Sequence, residues 1–411
     1  MSMLIRNASF VMTQRNGILK GSDIFIDDDR IVEIGKNLKH PAEFVVDGRK
    51  KIVMPGLVNP HTHVAMTLFR GTPDNLPVME WLQKYIWPME ARLKPKDVYY
   101  GSIIGCMEMM KNGVTTFGDM YFFADQVGLA VKDVGMRALV SSVVLEAVSE
   151  KMGGIKQMEQ TLKKVKQIKS KKVRSWLGPH SPYTCSEEML KKVKKISEKE
   201  KLKINIHLSE SKSEVEEMKK KRGKSPVEFL DDIRFLDSTV TAAHCVHVSE
   251  TDMKILKEKK VSVVHCPTSN MRLGSGVAPV CEMIKKGITV GLGTDGPASN
   301  TSLDMFQEMN VATSIHKISK NEILNFVTIN AAKCLGLENE IGSLEVGKKA
   351  DIIILNAQDI NSLSGKNVES VIIDGVIVVE DRKILTINEQ EVLEKFQKVA
   401  EGLKARISKP L

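Results

Sequence analysis

Short runs of alternating apolar and polar residues mark both ends of the chain. Residues 4–8, 23–27 and 30–34 near the start, and 350–355 and 370–379 near the end, follow the two-residue period of half-buried strands. The pair Asp374-Gly375 inside the last run suits a tight hairpin turn. Because neither group of strands can bury a face alone, the pattern predicts a small β-sandwich domain formed from both chain termini.

Between these ends, short apolar runs alternate with longer segments of helical period. Eight runs have the length of buried parallel strands: 52–59, 115–119, 137–144, 173–178, 203–208, 239–244, 262–265 and 289–295. Strands that alternate with helices predict an α/β fold, here a (β/α)8 barrel of the TIM type. A doubly wound open sheet is the alternative, but no glycine-rich phosphate loop follows an early strand.

The two patterns divide the chain into three parts. Residues 1–54 are predicted to start the small β domain, 55–343 to form the barrel, and 344–411 to complete the β domain and add a terminal helix. A chain of 411 residues, of which 42% are hydrophobic, can bury the core that such a barrel needs.

The formal net charge of +9 raises the question of a polyanionic partner. The lysines, however, alternate with Glu, Ile and Val at helical spacing, and no aromatic residues interleave with them to stack on bases. We therefore assign most lysines to the outer faces of helices and expect no nucleic acid partner.

Cysteine usage and hydropathy indicate the compartment. The six cysteines lie far apart and none forms a CxxC pair, which argues against a disulfide framework. No segment has the apolar length of a membrane span, and the start MSMLIRNASF lacks the apolar region of a signal peptide. We expect a reduced, cytoplasmic protein with no membrane partner.

Histidines are concentrated at the predicted strand ends. Residues two apart on a strand point to the same side, so His61 and His63 can reach one ion. Other strand ends carry four further histidines and a carboxylate: His180, His207, His244, His265 and Asp295. Because the strand ends of a barrel meet at one mouth, these side chains predict a catalytic divalent-metal site, with zinc or another borderline metal favoured. Any single histidine could instead be half-buried and structural, and His265 stays open between supporting a ligand and a structural role.

Glu210 follows His207 by three residues and can face the same mouth. A carboxylate placed there is a candidate for exchanging a proton with a substrate. The alternative is a surface glutamate that opens the charged helix after it.

Several segments together resemble the amidohydrolase superfamily, and within it the 5-methylthioadenosine/S-adenosylhomocysteine deaminase branch, which includes 5′-deoxyadenosine deaminases. The paired histidines stand in PGLVNPHTH at 55–63, and the later matches are GPHSPY at 178–183, HLSE at 207–210, AHCVH at 243–247, PTSN at 267–270, GTDGPASN at 293–300 and GSLEVGKKAD at 342–351. The ordered set runs over nearly the whole chain.

The resemblance implies one divalent metal ion, with zinc favoured, held by His61, His63, His207 and Asp295. Relatives with two metals use a carboxylated lysine at the end of the fourth strand, where this chain reads LGPH at 177–180. We therefore expect a single ion, and hydrolysis of an amino group rather than of a cyclic amide.

The reaction that the resemblance implies is hydrolytic deamination at C6 of an adenine nucleoside. Asp295 would accept a proton from the attacking water, Glu210 would protonate ring N1, and His244 would orient the attacking hydroxide. Collapse of the tetrahedral centre releases ammonia and leaves a hypoxanthine base.

Three residues are assigned to the substrate by the same resemblance. Glu90 would accept hydrogen bonds from the ribose 2′- and 3′-hydroxyls, which suits a group that only accepts. His180 would contact the purine ring, and Ser299 is a further candidate on the substrate side.

The chain departs from the family pattern where the 5′ group is expected. Relatives that use S-adenosylhomocysteine hold its carboxylate with arginines, and at those positions this chain has Ser142 and Ile155, with Lys151 and Lys156 as possible substitutes. A substrate pocket without positive charge at this end favours uncharged 5′ groups, because burying an unpaired carboxylate is costly in free energy. We expect 5′-deoxyadenosine or 5′-methylthioadenosine before S-adenosylhomocysteine or adenosine.

Other functions stay open from the sequence. One is a different mononuclear amidohydrolase that acts on guanine, cytosine or a triazine, and another is a non-enzymatic barrel kept for assembly. Retention of His61, His63, His207, Glu210 and Asp295 speaks against the non-enzymatic class. We also expect a homo-oligomer, a dimer or a tetramer.

Overall fold

The computed structural model describes residues 1–13, 17–146, 153–359 and 362–408. Its strands are β1 Ser2–Met12, β2 Ile18–Asp27, β3 Arg30–Gly35, β4 Phe44–Asp47, β5 Ile52–Pro55, β6 Leu57–Thr62, β7 Val114–Tyr121, β8 Arg137–Val144, β9 Val173–Ser175, β10 Gly178–Pro179, β11 Ile204–Leu208, β12 Val240–His244, β13 Ser262–His265, β14 Val290–Leu292, β15 Ile352–Leu355, β16 Val368–Ile373, β17 Val376–Glu380 and β18 Lys383–Ile384.

Helices fill most of the intervals between the barrel strands. The α-helices are α1 Val78–Trp81, α2 Trp87–Glu90, α3 Pro95–Lys111, α4 Ala124–Val134, α5 Ile155–Lys166, α6 Glu187–Glu200, α7 Lys212–Arg222, α8 Pro226–Asp232, α9 Glu250–Glu258, α10 Pro267–Arg272, α11 Val280–Lys285, α12 Pro297–Asn300, α13 Met305–His316, α14 Lys320–Phe326, α15 Ile329–Leu335 and α16 Glu389–Ile407. Within the described ranges, every helix is too short or too polar to span a membrane.

Strands from both chain ends share one nine-stranded sheet. Its order is β18-β17-β16-β15-β5-β1-β2-β3, with β4 paired to β1. The two ends meet where β5 pairs antiparallel with β15. That this sheet forms a two-layer sandwich stays a prediction, as do the domain boundaries 1–54, 55–343 and 344–411.

The side chains of β15 point alternately to the two faces of this sheet, and both faces are buried at this strand. Ile352 and Ile354 pack into the core formed by the N-terminal strands. Ile353 and Leu355, which point the other way, join the large core around the barrel. A strand with apolar residues on both sides therefore attaches the terminal sheet to the barrel.

Parallel strands form the barrel in two sheets. One sheet runs β10-β8-β7-β6, with β9 also on β8, and the other runs β11-β12-β13-β14. Parallel bridges between Leu177 and Ile204, and between Thr62 and Asp295, join the two sheets at both edges. The strands therefore close into the predicted barrel, in which β9 and β10 together occupy the place of the predicted strand 173–178.

The predicted first barrel strand, 52–59, is wrong in its bounds. Residues 52–55 form β5 of the terminal sheet, and the barrel strand β6 runs over 57–62. Gly56 separates them, and a Cβ at this position would lie 2.2 Å from a side-chain carbon of Thr115. Only glycine lets the chain pass this close as it leaves one sheet for the other.

A buried ion pair connects the barrel to the C-terminal strands. Arg137 begins β8, and its guanidinium donates two hydrogen bonds of 3.0 Å to the carboxylate of Asp351. It also contacts Asp374. The side chains of Arg137 and Asp351 are each 2% exposed, so removing one partner would leave the other charge buried without compensation.

We expect Arg137→Ala to lower the free energy of unfolding by about 3–5 kcal/mol, because Asp351 would remain buried and unpaired. Urea denaturation followed by circular dichroism measures this loss. Arg49→Ala is the control, since it removes an exposed pair with Asp47 and should cost about 0–1 kcal/mol. Equal losses in the two variants would contradict the structural role of Arg137.

Candidate active site

A cavity opens at the carboxyl ends of the barrel strands. It is lined by residues from β7, β8, β11 and β12, from the segments that follow the strands, and from the segment 78–90: His63, Met66, Val78, Trp81, Leu82, Ile86, Trp87, Glu90, Met120, Tyr121, Phe122, Val143, Leu145, His180, Tyr183, His207, Glu210, His244, Leu273, Asp295 and Ser299. This is the end of a (β/α)8 barrel where active sites lie.

Four possible metal ligands meet at the floor of this cavity. One ligand atom each from His61, His207, His244 and Asp295 lies within 4.8 Å of all the others. His63 joins them, because its Nε2 is 3.1 Å from Oδ1 of Asp295 and 3.2 Å from Nε2 of His207. The structure thus brings together the four predicted ligands, and it adds His244 to the cluster.

His244 reaches the cluster through an unusual backbone conformation. Its register partner on β11 is Leu208, whose side chain joins the large hydrophobic core and does not face His61. Regular alternation would therefore point the side chain of residue 244 away from the cluster. His244 has a φ of +72°, in the left-handed region that non-glycine residues seldom adopt. The turn interrupts the alternation of β12, and the imidazole lies 5.4 Å from that of His207, centroid to centroid.

Each clustered imidazole has its Nδ1 beside another protein group. The partners are the carbonyl of Met120 for His63, the carbonyl of His180 for His207, the side-chain oxygen of Asn270 for His244 and the side-chain amide nitrogen of Asn205 for His61. An Nδ1 that donates to an oxygen leaves the lone pair on Nε2, the arrangement typical of metal-ligating histidines. Nε2 of His61 is buried and has no hydrogen-bond partner in the described part of the chain.

Two serines hold the carboxylate of Asp295. The hydroxyls of Ser269 and Ser299 donate to its Oδ2 at 2.5 and 3.1 Å. Oδ1 is thereby left toward His63 and toward His61, whose Nε2 is 3.5 Å away. Ser299, predicted on the substrate side, does line the cavity, but its hydroxyl is directed to Asp295.

Burial sets the charges of this cluster. It lowers the pKa of His61 to about 4 and that of His207 well below the usual value, so both rings are neutral at pH 7. Burial by itself would lower the pKa of His63. The hydrogen bond to Asp295 and the charge of its carboxylate together outweigh burial and raise the pKa of His63 to about 9. The neighbouring imidazoles of His61 and His63 overcome burial at Asp295 and hold the pKa of its carboxyl well below the usual value.

These observations fit a divalent cation. His207, a neutral imidazole whose Nδ1 lies beside a carbonyl, offers the lone pair of Nε2, Asp295 offers a negative charge, and the unpartnered Nε2 of His61 faces the same point. Nitrogen donors with one carboxylate are the donor set of catalytic zinc and of other borderline metals.

Glu210 and His180 lie beside the cluster. Oε2 of Glu210 is 3.9 Å from Nε2 of His244, and burial raises the pKa of the carboxyl. His180 contacts the hydroxyl of Thr184 through Nδ1 at 2.9 Å, and burial lowers its pKa to about 3. Both line the cavity, which places a buried carboxyl and a neutral imidazole where the sequence predicted them.

Glu90 enters the cavity from a segment whose geometry the sequence pattern did not predict. A π-helix, Leu82–Ile86, precedes α2 and is closed by a hydrogen bond from the Trp87 N–H to the Leu82 carbonyl. Pro88 has no N–H to continue a regular helix, which is consistent with the wider turn. Burial raises the pKa of Glu90 to about 7, and the neighbouring Tyr121 hydroxyl offsets part of this effect.

His265 does not join the cluster. Its neighbour Val264 points toward Gly293 at the barrel interior, so the alternation of β13 turns His265 outward. There its Nε2 lies 3.0 Å from Nε2 of His316, at the end of α13. The open question about His265 is thereby answered in favour of packing between barrel and helix.

Within the described part of the chain, no lysine or arginine lines the cavity, so its wall carries no ammonium or guanidinium group that could pair with a substrate carboxylate. Ser142 and Ile155, which replace the expected arginines, are themselves absent from the lining. Lys156 is exposed, and Lys151 lies outside the described residues. Phe122, Val143 and Leu145 instead form an apolar wall of the cavity.

A model of the amidohydrolase family matches residues 52–378. The chain belongs to this family. A 5′-deoxyadenosine deaminase of Methanosarcina mazei is 41% identical, with 99% of each chain covered. A 5-methylthioadenosine/S-adenosylhomocysteine deaminase of Thermoanaerobacter pseudethanolicus is 42% identical, with 98% of this chain and 99% of the relative covered. The crystal structure of an adenosine deaminase from Xanthomonas campestris with bound zinc superposes with a TM-score of 0.92 at 27% identity, covering 98% of each chain.

Proposed function

We propose that this protein hydrolyses the 6-amino group of adenine nucleosides with uncharged 5′ groups, such as 5′-deoxyadenosine and 5′-methylthioadenosine. The observation that carries the proposal is the position of Glu210 beside the histidine–aspartate cluster in a cavity that Glu90 also enters. The products are the inosine analogue and ammonia. The full-length similarity to deaminases of this branch supports the substrate class.

We assign the metal site to His61, His63, His207 and Asp295, with one ion per chain and zinc favoured. A divalent cation held there would supply a Lewis acid that lowers the pKa of water toward neutral pH. His244, whose Nδ1 is fixed by Asn270, orients the attacking oxygen through Nε2. Asp295 accepts the proton that the attacking water loses.

Glu210 supplies the complementary proton. Burial raises the pKa of its carboxyl and so favours the protonated form, which can donate to ring N1 while C6 is attacked. The proton held by Asp295 then passes to the departing amino group, and the C6–N bond breaks to release ammonia. The second proton of the attacking oxygen passes to Asp295 as the C6 carbonyl forms. The product carries a carbonyl at C6 and a hydrogen on N1, Glu210 is left ionised, and the proton on Asp295 returns to Glu210 through solvent before the next turnover.

Substrate contacts follow from the remaining polar lining. Glu90 accepts from the two ribose hydroxyls, and His180 contacts the purine ring. The apolar wall of Phe122, Val143 and Leu145 receives the 5′ group. A carboxylate placed there would lose its hydration without gaining a cationic partner.

A nucleoside panel with ammonia detection tests this function. We expect kcat/KM for 5′-deoxyadenosine and 5′-methylthioadenosine to exceed that for S-adenosylhomocysteine by about tenfold or more, because its charged end finds no partner. Guanine, cytosine and a triazine serve as the alternatives. A preference for S-adenosylhomocysteine would contradict the proposal that the pocket receives an uncharged 5′ group. Release of ammonia only from guanine, cytosine or the triazine would contradict the proposal that the substrate is an adenine nucleoside.

Metal content separates the role of Glu210 from that of the ligands. Glu210→Gln should keep the wild-type metal stoichiometry and lose about a hundred- to ten-thousandfold in kcat, because the proton donor is gone. His61→Ala should lose most of its metal after dialysis, as measured by plasma mass spectrometry. A fully active Glu210→Gln variant would refute the assignment of the N1 proton donor.

The pKa of Glu90 predicts an acid limb in the pH profile. A carboxyl whose pKa is raised to about 7 is protonated below that pH and then accepts fewer hydrogen bonds from the ribose. We expect kcat/KM to fall as the pH drops through about 7, with most of the change in KM. Glu90→Gln should lower kcat/KM by about 10–100-fold and abolish that limb. An unchanged acid limb in Glu90→Gln would assign it to another group.

A further inference from the structure

Glu214 is a buried carboxylate next to the active site that the reaction above does not use. It lies on α7, is 5% exposed and does not line the cavity. Its Oε1 accepts a hydrogen bond from the Ser209 N–H at 2.9 Å, and its Oε2 accepts one from the Glu210 N–H at 2.7 Å. One carboxylate thus holds two consecutive peptide groups at the end of β11.

The turn that Glu214 holds is conformationally unfavourable by itself. Ser209 has a φ of +50°, in the left-handed region, although it is not a glycine. Such a conformation persists only where the surroundings determine it. The two hydrogen bonds from the Ser209 and Glu210 N–H groups to the Glu214 carboxyl fix both peptide groups and so hold this conformation.

Glu210 itself has few contacts that could fix its direction. In the described part of the chain, its carboxylate accepts one hydrogen bond, a long one of 3.4 Å from the Ser275 hydroxyl. Nε2 of His244 is farther away, at 3.9 Å. The direction of the side chain therefore depends mainly on the backbone at residues 209 and 210.

We propose that Glu214 is a positioning residue that aims the Glu210 carboxyl at ring N1 by holding the Ser209–Glu210 turn. This inference rests on the proposed function, since it takes Glu210 as the N1 proton donor. The competing explanation is that Glu214 only stabilises the start of α7, where Ser211 already caps the helix by accepting from the Glu214 N–H.

Three variants separate these explanations. Glu214→Gln keeps the shape of the side chain but replaces one acceptor oxygen with an NH2 group, which cannot accept from the second N–H. Glu216→Gln makes the same change on the same helix at an exposed residue paired with Lys212. Ser211→Ala removes the helix cap and leaves the two hydrogen bonds of the turn in place.

We expect Glu214→Gln to lower kcat about 30–100-fold with a KM within about threefold of wild type, because a shift near 1 Å in a reacting group has an effect of this size. Its metal content should equal that of the wild type. Glu216→Gln and Ser211→Ala should keep wild-type kcat, although Ser211→Ala should lower the melting temperature.

A pair of inhibitors gives a readout that loss of stability would not produce. The N1–H of the product nucleoside donates to ionised Glu210, whereas a 1-deaza analogue of the substrate presents a C–H at that position. Glu214→Gln should raise the inhibition constant of the product about tenfold and leave that of the 1-deaza analogue within about twofold. A parallel rise for both inhibitors would overturn the positioning role.

The wild-type chain distinguishes the two proposals. If it releases ammonia from adenine nucleosides and Glu214→Gln behaves like Glu216→Gln, the positioning role is overturned and the proposed function stands. If the wild type, loaded with metal, releases no ammonia from any nucleoside, the proposed function fails and the role of Glu214 fails with it.

Discussion

The site depends on burying several imidazoles side by side while His61 and His207 stay uncharged. Protonated rings at these distances would repel one another, and burial would remove the water that could screen the charges. The protein meets this constraint by engaging each Nδ1 and by turning the Nε2 atoms toward Asp295. The same burial that keeps His207 neutral raises the pKa of the Glu210 carboxyl and favours its protonated form. One environment therefore produces both the lone pairs and the acid.

Closure of the barrel brings these groups together. The bridge between Thr62 and Asp295 joins the first and last strands, and the peptide N–H of Asp295 donates to the carbonyl of His61. Residues that are far apart in the chain thus sit on adjacent backbone segments. The segments that follow the strands supply the residues that vary between proteins of one fold. In this protein they include the apolar wall of the cavity and Glu90 on the short helix α2.

Much of the site could be predicted from the sequence because strand periodicity is a local property. His61 and His63 are two apart on one strand, and the ends of parallel strands must converge, so their meeting with His207 follows from the pattern alone. The sequence also placed His244 at this mouth from its strand end, but the positive φ that brings its imidazole to the cluster, against the alternation of the strand, could not be derived from the pattern. His265, which the sequence left open between supporting a ligand and a structural role, obeys the alternation and faces outward. The split at Gly56 depends on how near Thr115 lies, and that distance is a tertiary property.

The pairing of β5 with β15 has a consequence for how the chain is made. β5 leads through a single glycine into the strand that carries His61, yet its partner is synthesised only near the end of the chain. During synthesis on the ribosome, one edge of β5 stays open while the whole barrel emerges, and an open edge can pair with a wrong strand. Assembly of the metal-binding strand is thereby linked to completion of the polypeptide, and a chain truncated before residue 352 exposes that edge permanently.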